Sequence, residues 1–304
     1  MLLNSLRASL AGFLIFLVSS VSAGQVYGGG VSFAGWESRE SLYPSVASYL
    51  CRGGECPEAT LDTWALETVD EAQFNSFSVS MDYISGGAIE GVVMTPMITG
   101  ESFSMVKDVT GSKTSFIHVY RVFASLLFFE FGTGRFINAK PVVVQFTDTL
   151  ASPATAVQKR EAFGRLLSSE GSGPNVFREM FSRAQDASVI TFSDRYVRVA
   201  STDILPEAEA ELPGVKDIDA WRLQVARLLE SYIVDATNAP LVPTASGAEL
   251  TDEFVATFAN AATRIKLPKT VPFEFSLTLR RLMEISTVAR KQKTLGPAVA
   301  IARV

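Results

Sequence analysis

Hydrophobic and polar residues alternate without a fault through Ser76-Phe-Ser-Val-Ser-Met-Asp-Tyr83. Phe77, Val79, Met81 and Tyr83 fall on one side of an extended chain, with three serines and Asp82 on the other, which predicts a strand with one wet face. Gly86-Gly87 supplies a turn and residues 89–97 a second apolar run, so the two strands are expected to pair as a hairpin. Residues 116–131 behave differently, because both alternating sets are apolar: Val122, Ala124, Leu126 and Phe128 on one side, Val119, Phe123, Leu127 and Phe129 on the other. A strand of that kind must be covered on both faces and lie centrally in its sheet. It is not a membrane helix, since His118, Arg121 and Glu130 interrupt it and β-formers dominate it. Gly132-Thr133-Gly134 turns the chain, residues 135–146 return, and Pro141 marks a break or an edge in the returning strand. Upstream, residues 25–33 predict a first strand interrupted by glycines, and 38–50 a short helix.

Helical spacing then takes over. Residues 155–169 align Phe163, Leu166 and Leu167, and Pro174 suits the first position of a helix aligning Phe177, Met180, Phe181 and Ala184. Residues 189–200 return to an extended pattern, and the acidic, proline-bracketed stretch 206–213 has the composition of a linker. In 217–234, Ile218, Trp221, Val225, Leu228, Leu229 and Tyr232 recur at amphipathic spacing, predicting a helix whose apolar face packs on a sheet or another helix. Residues 240–243 are expected to be extended and 252–265 helical, while Phe273, Phe275, Leu277 and Leu279 alternate with polar residues as a strand. Residues 282–293 suit strand or helix; the strand reading continues into a turn at 293–296 and a last strand at 298–304. The fold class is therefore α/β (α+β), with mixed β-sheets and flanking helices in two lobes: a sheet-centred α/β lobe 24–205, the linker 206–213 and a smaller α/β lobe 214–304.

The first 23 residues belong to neither lobe. One cation and no acid precede a short apolar block, Leu10 to Val18, and Ser19-Ser-Val-Ser-Ala23 places small residues where a signal peptidase reads. This is the pattern of a secretory signal peptide, residues 1–23, cleaved between Ala23 and Gly24. The block is too short to stay as a membrane anchor and no cysteine near the cleavage point could take a lipid. The mature chain is expected to be periplasmic, or alternatively secreted, with no integral membrane segment. Its 281 residues suffice for a substantial core, and 21 Phe against 3 Trp and 7 Tyr suit buried filling. Loss of Arg7 takes the formal charge from −5 to −6, which argues against sequence-independent binding to nucleic acid. In an exported chain Cys51 and Cys56 are expected to form a disulfide, because Gly53-Gly54 lets the backbone turn between them. Redox dithiols have two intervening residues rather than four, and a zinc site needs ligands that one histidine cannot add.

Catalytic chemistry finds little support in the residues. His118 is the only histidine and lies within the most apolar strand, which favours a packed role over that of a base. Ser172 sits between glycines, but the spacing is wrong for a nucleophile elbow and helices flank it. Asp70 with Glu71, and Asp252 with Glu253, could serve a carboxylate mechanism yet lie in polar stretches suited to a solvated surface. Gly28-Gly-Gly30 lacks the lysine and hydroxyl of a phosphate loop, no calcium-loop spacing occurs, and Arg280-Arg281 suits a strand-face position. No catalytic, metal or cofactor-binding residue, and no cofactor, is assigned.

One resemblance adds to this. The strand, Gly-Thr-Gly turn and return strand in "VYRVFASLLFFEFGTGRFINAKPVVVQF" resemble the periplasmic α/β domains of the curli-secretion-channel and TolB amino-terminal type, in which a strand ending in an acidic residue and Thr-Gly begins a hairpin. The first strand and helix, "GGGVSFAGWESRESLYPSVASYL", follow by analogy. The lipobox cysteine and the transmembrane-hairpin pattern of that family are missing from this sequence. The resemblance implies a role within a cell-envelope assembly. The expected function is that of an exported, non-catalytic protein acting through protein–protein contacts with an envelope partner, an envelope or secretion accessory. The alternative is an exported carboxylate-dependent hydrolase or a small-ligand binding protein.

Overall fold

In the computed structural model, the described residues are 24–34, 42–51, 58–80, 91–110, 113–168, 173–185, 195–211, 217–244, 253–258 and 261–280. An antiparallel meander dominates them: β4 (Val92–Thr110), β5 (Lys113–Glu130) and β6 (Arg135–Leu150). The doubly apolar strand is thus central, with β4 on one side and β6 on the other, as its sequence requires. β1 (Gly24–Gly28) runs parallel to β4, β3 (Phe77–Ser80) lies outside β1, and β2 (Ser32–Phe33) pairs with β4 one step along. A hairpin of β8 (Glu253–Phe258) and β9 (Ala261–Lys266) joins the other edge, giving the order β3-β1-β4-β5-β6-β9-β8. The junction needs Gly134: its φ is +66°, and a Cβ there would meet the Arg264 carbonyl oxygen, while Lys266 N–H donates to the Gly134 carbonyl at 2.8 Å.

Helices α1 (Pro44–Leu50), α2 (Glu58–Glu71), α3 (Ala156–Leu167) and α4 (Val176–Ala184) cover one face of the sheet. Leu61, Phe163, Phe177 and Met180 meet Tyr120, Leu126 and Phe128 in the largest cluster. Thr155 and Gln158 form a capping box at the start of α3. Glu101 of β4 holds the start of α1, accepting from Ser45 N–H at 2.9 Å and Val46 N–H at 2.7 Å. Burial raises the Glu101 pKa, opposed by those two backbone bonds. On the opposite face Val93, Met97, Leu127, Phe129 and Phe136 pack with Tyr196, Val242 and Ile265. Beside them lie a parallel pair, β7 (Val197–Ile204) with β10 (Phe273–Leu279), and α6 (Ile218–Thr237).

Mixed sheets with flanking helices are what the pattern predicts, but several elements differ. β3 and β4 are not a hairpin: both run parallel to β1, which lies between them. Alternation fixes which face a residue takes, not which strand it pairs with. Residues 253–266 are a β-hairpin rather than a helix, with Phe254 opposite Ile265 and Val255 opposite Arg264; the β-branched and aromatic residues prevail over helical spacing. Pro174 precedes α4 instead of opening it. Asn175 is the cap, its Oδ1 accepting from Phe177 and Arg178 N–H while its Nδ2 donates to the Leu167 and Ser168 carbonyls at the end of α3. Within the stretch 206–213, Pro206–Ala210 form a short helix, α5, with Ala208 fully buried. Helix α2 escapes prediction because its buried side is built from Leu61, Ala65, Thr68 and Val69, which give little apolar contrast. Ala23, Cys56, Ser172, Asp252, Arg281 and residues 282–304 lie outside the described residues.

Candidate interaction surface

The meander outruns its cover. A strand of 19 residues such as β4 spans about 60 Å at ~3.3 Å per residue, whereas the 12 residues of α3 span about 18 Å. Beyond the helices the strands meet solvent. Met105, Val106 and Val109 of β4 are 43%, 47% and 59% exposed. By strand alternation Met105 and Val109 share the side of Phe103, and Val106 takes the other. Past Ile98, β4 has no strand on the side away from β5 among the described residues, and β6 has none on its outer side past Arg135. Among the described residues, then, no strand pairs with either outer edge of the distal meander. The two edges differ in character: Met105, Val106 and Val109 are exposed with Ser104 and Lys107 on distal β4, while the exposed residues of distal β6 are the polar Gln145, Thr147 and Thr149.

His118 stands on this meander, fully buried. Its Nδ1 lies 3.1 Å from Asp148 Oδ1, and its Nε2 accepts from Ala154 N–H at 3.1 Å. The ring stacks on Phe103, with centroids 5.8 Å apart, and tilts against Tyr120. Both nitrogens are thus engaged in holding the segment that leads into α3 against β5 and β6. A general base needs one nitrogen facing a reacting group, so this geometry is that of a positioning side chain. Tyr120 beside it is pushed up to about 12, by burial first and by Asp148 second.

The glycine tract is also accounted for by local contacts. Val31 N–H donates to Asp62 Oδ1 at 2.6 Å, Thr95 Oγ1 donates to the Gly30 carbonyl at 2.5 Å, and a Cβ on Gly30 would lie 3.1 Å from Asp62 Oδ1. An aspartate facing this turn from α2 repels a phosphate. Burial raises the Asp62 pKa, with the Val31 bond opposing it. The crevice between Gly28, Asp62, Val69, Met94 and Phe181 holds about 10 Å³, room for roughly one water. Ligand pockets are usually some 300 Å³ or more.

A second polar cluster is buried between α6 and the sheet. Arg227 lies over Phe123, its Nη1 pressed against Gly100 where any Cβ would clash. Glu230, 4% exposed, accepts from Thr244 N–H, and Thr244 Oγ1 donates to the Val199 carbonyl at 3.2 Å. Burial pushes Glu230 up to about 7 and Arg227 down to about 10, each moderated by the other's charge. Sequence periodicity misses these residues because it scores apolar positions, and a buried ion on an amphipathic helix resembles its wet side. Of the carboxylate candidates, Asp70 and Glu71 end α2 and Glu253 opens β8, so the described members of the two pairs sit on separate elements. Arg280 follows β10. Cys51 closes α1, with its backbone N–H on the Ala47 carbonyl.

No family model and no curated protein matches this chain. Solved structures with partial likeness include a neuraminyllactose-binding hemagglutinin homolog from Helicobacter pylori, at 11% identity and a TM-score of 0.28 over 54% of this chain and 81% of that one. Rare lipoprotein B from Shewanella oneidensis is 15% identical with a TM-score of 0.21, over 47% and 81% respectively. A hypothetical protein from Chlamydia trachomatis is 11% identical with a TM-score of 0.23, over 54% and 96%.

Proposed function

We propose that this is an exported, non-catalytic protein that acts through protein–protein contact as an accessory of a cell-envelope assembly, and that the outer edge of β4 accepts an extended segment of its partner. The leader pattern of residues 1–23 supports the address. The observation that carries the contact role is the distal β4 edge past Ile98, which no strand among the described residues pairs on its outer side and where Met105, Val106 and Val109 are exposed. An added strand gains main-chain hydrogen bonds from such an edge and side-chain contacts from alternate residues on each face. Lys107 and Asp108 stand between the apolar residues of this edge, so an added strand meets charge as well as apolar contact there. The strand–turn–strand resemblance to periplasmic domains points to the same kind of role.

A photo-reactive amino acid at position 106 or 109, in cells of the source organism, tests both parts. A single envelope protein should be captured at these positions and not at Val157, which is 51% exposed on α3. Captured material should begin at Gly24. Equal capture at Val157, or a product retaining Met1 in the cytosol, would sink the reading.

A further inference from the structure

Helix α6 packs Leu229 of its predicted apolar set against the core but turns the rest of that stripe away from it. The residues it buries are Ala226, Arg227, Glu230, Ser231, Ile233 and Val234, so half of its inward face is polar. Trp221, Val225, Leu228 and Tyr232, spaced four, three and four apart, form a single stripe on the other side. Tyr232 is 69% exposed and the other three are half-buried. Among the described residues, none of the stripe belongs to a buried cluster or packs against one. Acids gather at one end. Thr202 Oγ1 donates to the Arg222 carbonyl at 2.9 Å, which ties the end of β7 to the first turns of α6. Asp203, Glu207, Glu209 and Glu211 follow Thr202, and Asp217 and Asp219 open α6; all six are exposed. Arg222 is engaged by Asp219 at 2.9 Å, and at the far end Arg183 meets Asp235.

We propose that this stripe seats an amphipathic helix of a partner protein whose basic end lies over the acids of residues 203–219. The proposal rests on reading the chain as a contact protein, but on a surface separate from the β4 edge. The 4-3-4 spacing is that of a helix–helix seam with a repeat of 3.5, so a helix rather than a strand fits it. Asp203, Asp217 and Asp219 at the start of the seam, with Glu207, Glu209 and Glu211 on the chain that follows β7, favour a cationic partner and fix its direction, since complementary charge sets register and encounter rate. The same acids repel an anionic bilayer surface.

Two synthetic helices with one leucine seam, one carrying four lysines at its end and the other four glutamates there, test this by fluorescence anisotropy on the mature chain. The lysine peptide should bind at least tenfold more tightly at low salt, and the gap should close in 0.5 M salt as the charges are screened. Tyr232→Asp should abolish binding; Trp221→Ala, milder, should weaken it severalfold; Glu207→Lys with Glu209→Lys and Glu211→Lys should reverse the preference. Val106→Lys with Val109→Lys should leave peptide binding unchanged, which keeps this outcome apart from that of the β4 edge. Equal affinity for both peptides, or binding indifferent to Tyr232→Asp, would overturn the proposal. So would a dimer in sedimentation that Tyr232→Asp dissolves, because the stripe would then serve a second copy.

Discussion

Glu230 should make this protein lose stability as the pH rises through neutrality. The carboxyl lies buried beneath α6 and is pushed from an ordinary 4.5 up to about 7, by burial before all else, with the Thr244 bonds and Arg227 opposing it. A group with a raised folded pKa binds its proton more tightly in the native state. The contribution is therefore fully present below about pH 4.5 and disappears as pH climbs through about 7. At 1.36 kcal/mol per unit, a shift of this size corresponds to about 3 kcal/mol between those limits. Glu230→Gln keeps an oxygen for Thr244 N–H but cannot ionise. It also removes the charge that Glu230 carries beside Arg227 once ionised, an attraction already contained in the raised value, while Arg227 itself stays protonated well past pH 8. The informative quantity is thus the change in slope and not absolute stability.

Urea unfolding at pH 5 and pH 8 measures it. The parent should lose about 2–3 kcal/mol more than the variant across that interval. Other titrating groups contribute equally to both proteins and cancel in the comparison. Identical pH dependence in parent and variant would show that Glu230 is solvated or paired in a way the buried geometry does not permit, and would remove the polar cluster beneath α6 from the account of the fold.

Phe128→Ala should destabilise by about 3–5 kcal/mol, because Phe128 is fully buried at the centre of β5 with its ring edge-on to Phe77 at 6.1 Å; an unchanged thermal melt would contradict the central placement of that strand. His118→Gln should cost about 1–3 kcal/mol, since the Gln amide reaches the Nε2 position that accepts from Ala154 N–H but does not reproduce the Nδ1 contact with Asp148, yet leave photo-capture at position 106 intact; a stable variant with all capture lost would assign His118 a functional part. Cys51 and Cys56 are expected to be joined, so thiol labelling of denatured, unreduced protein should find no free cysteine. Two reactive thiols in fresh protein would rule the pairing out.

How far the chain could be read depended on which physical signal each segment carries. Residues 116–146 declare themselves because a strand apolar on both faces has few places to go, and β5 indeed sits between β4 and β6 with the α3 side chain Phe163 on Tyr120. Pairing is another matter. Ser78 and Val79 alternate just as well beside β1 as they would in a hairpin, and only a long-range parallel contact decides between the two. The candidate surfaces were harder still, for the same reason in two forms. The sequence rule that apolar residues go inside predicts burial for Met105, Val106, Val109 and Tyr232, which are exposed, and full burial for Trp221, Val225 and Leu228, which are only half-buried. On α6 the failure is compensated: Arg227 and Glu230 occupy the inward face, Arg227 over Phe123 and Glu230 held by Thr244, and they set the rotation of the helix against the pull of its apolar stripe. A helix held in that rotation by buried polar side chains, with Tyr232 left outward, fits a surface that a partner covers.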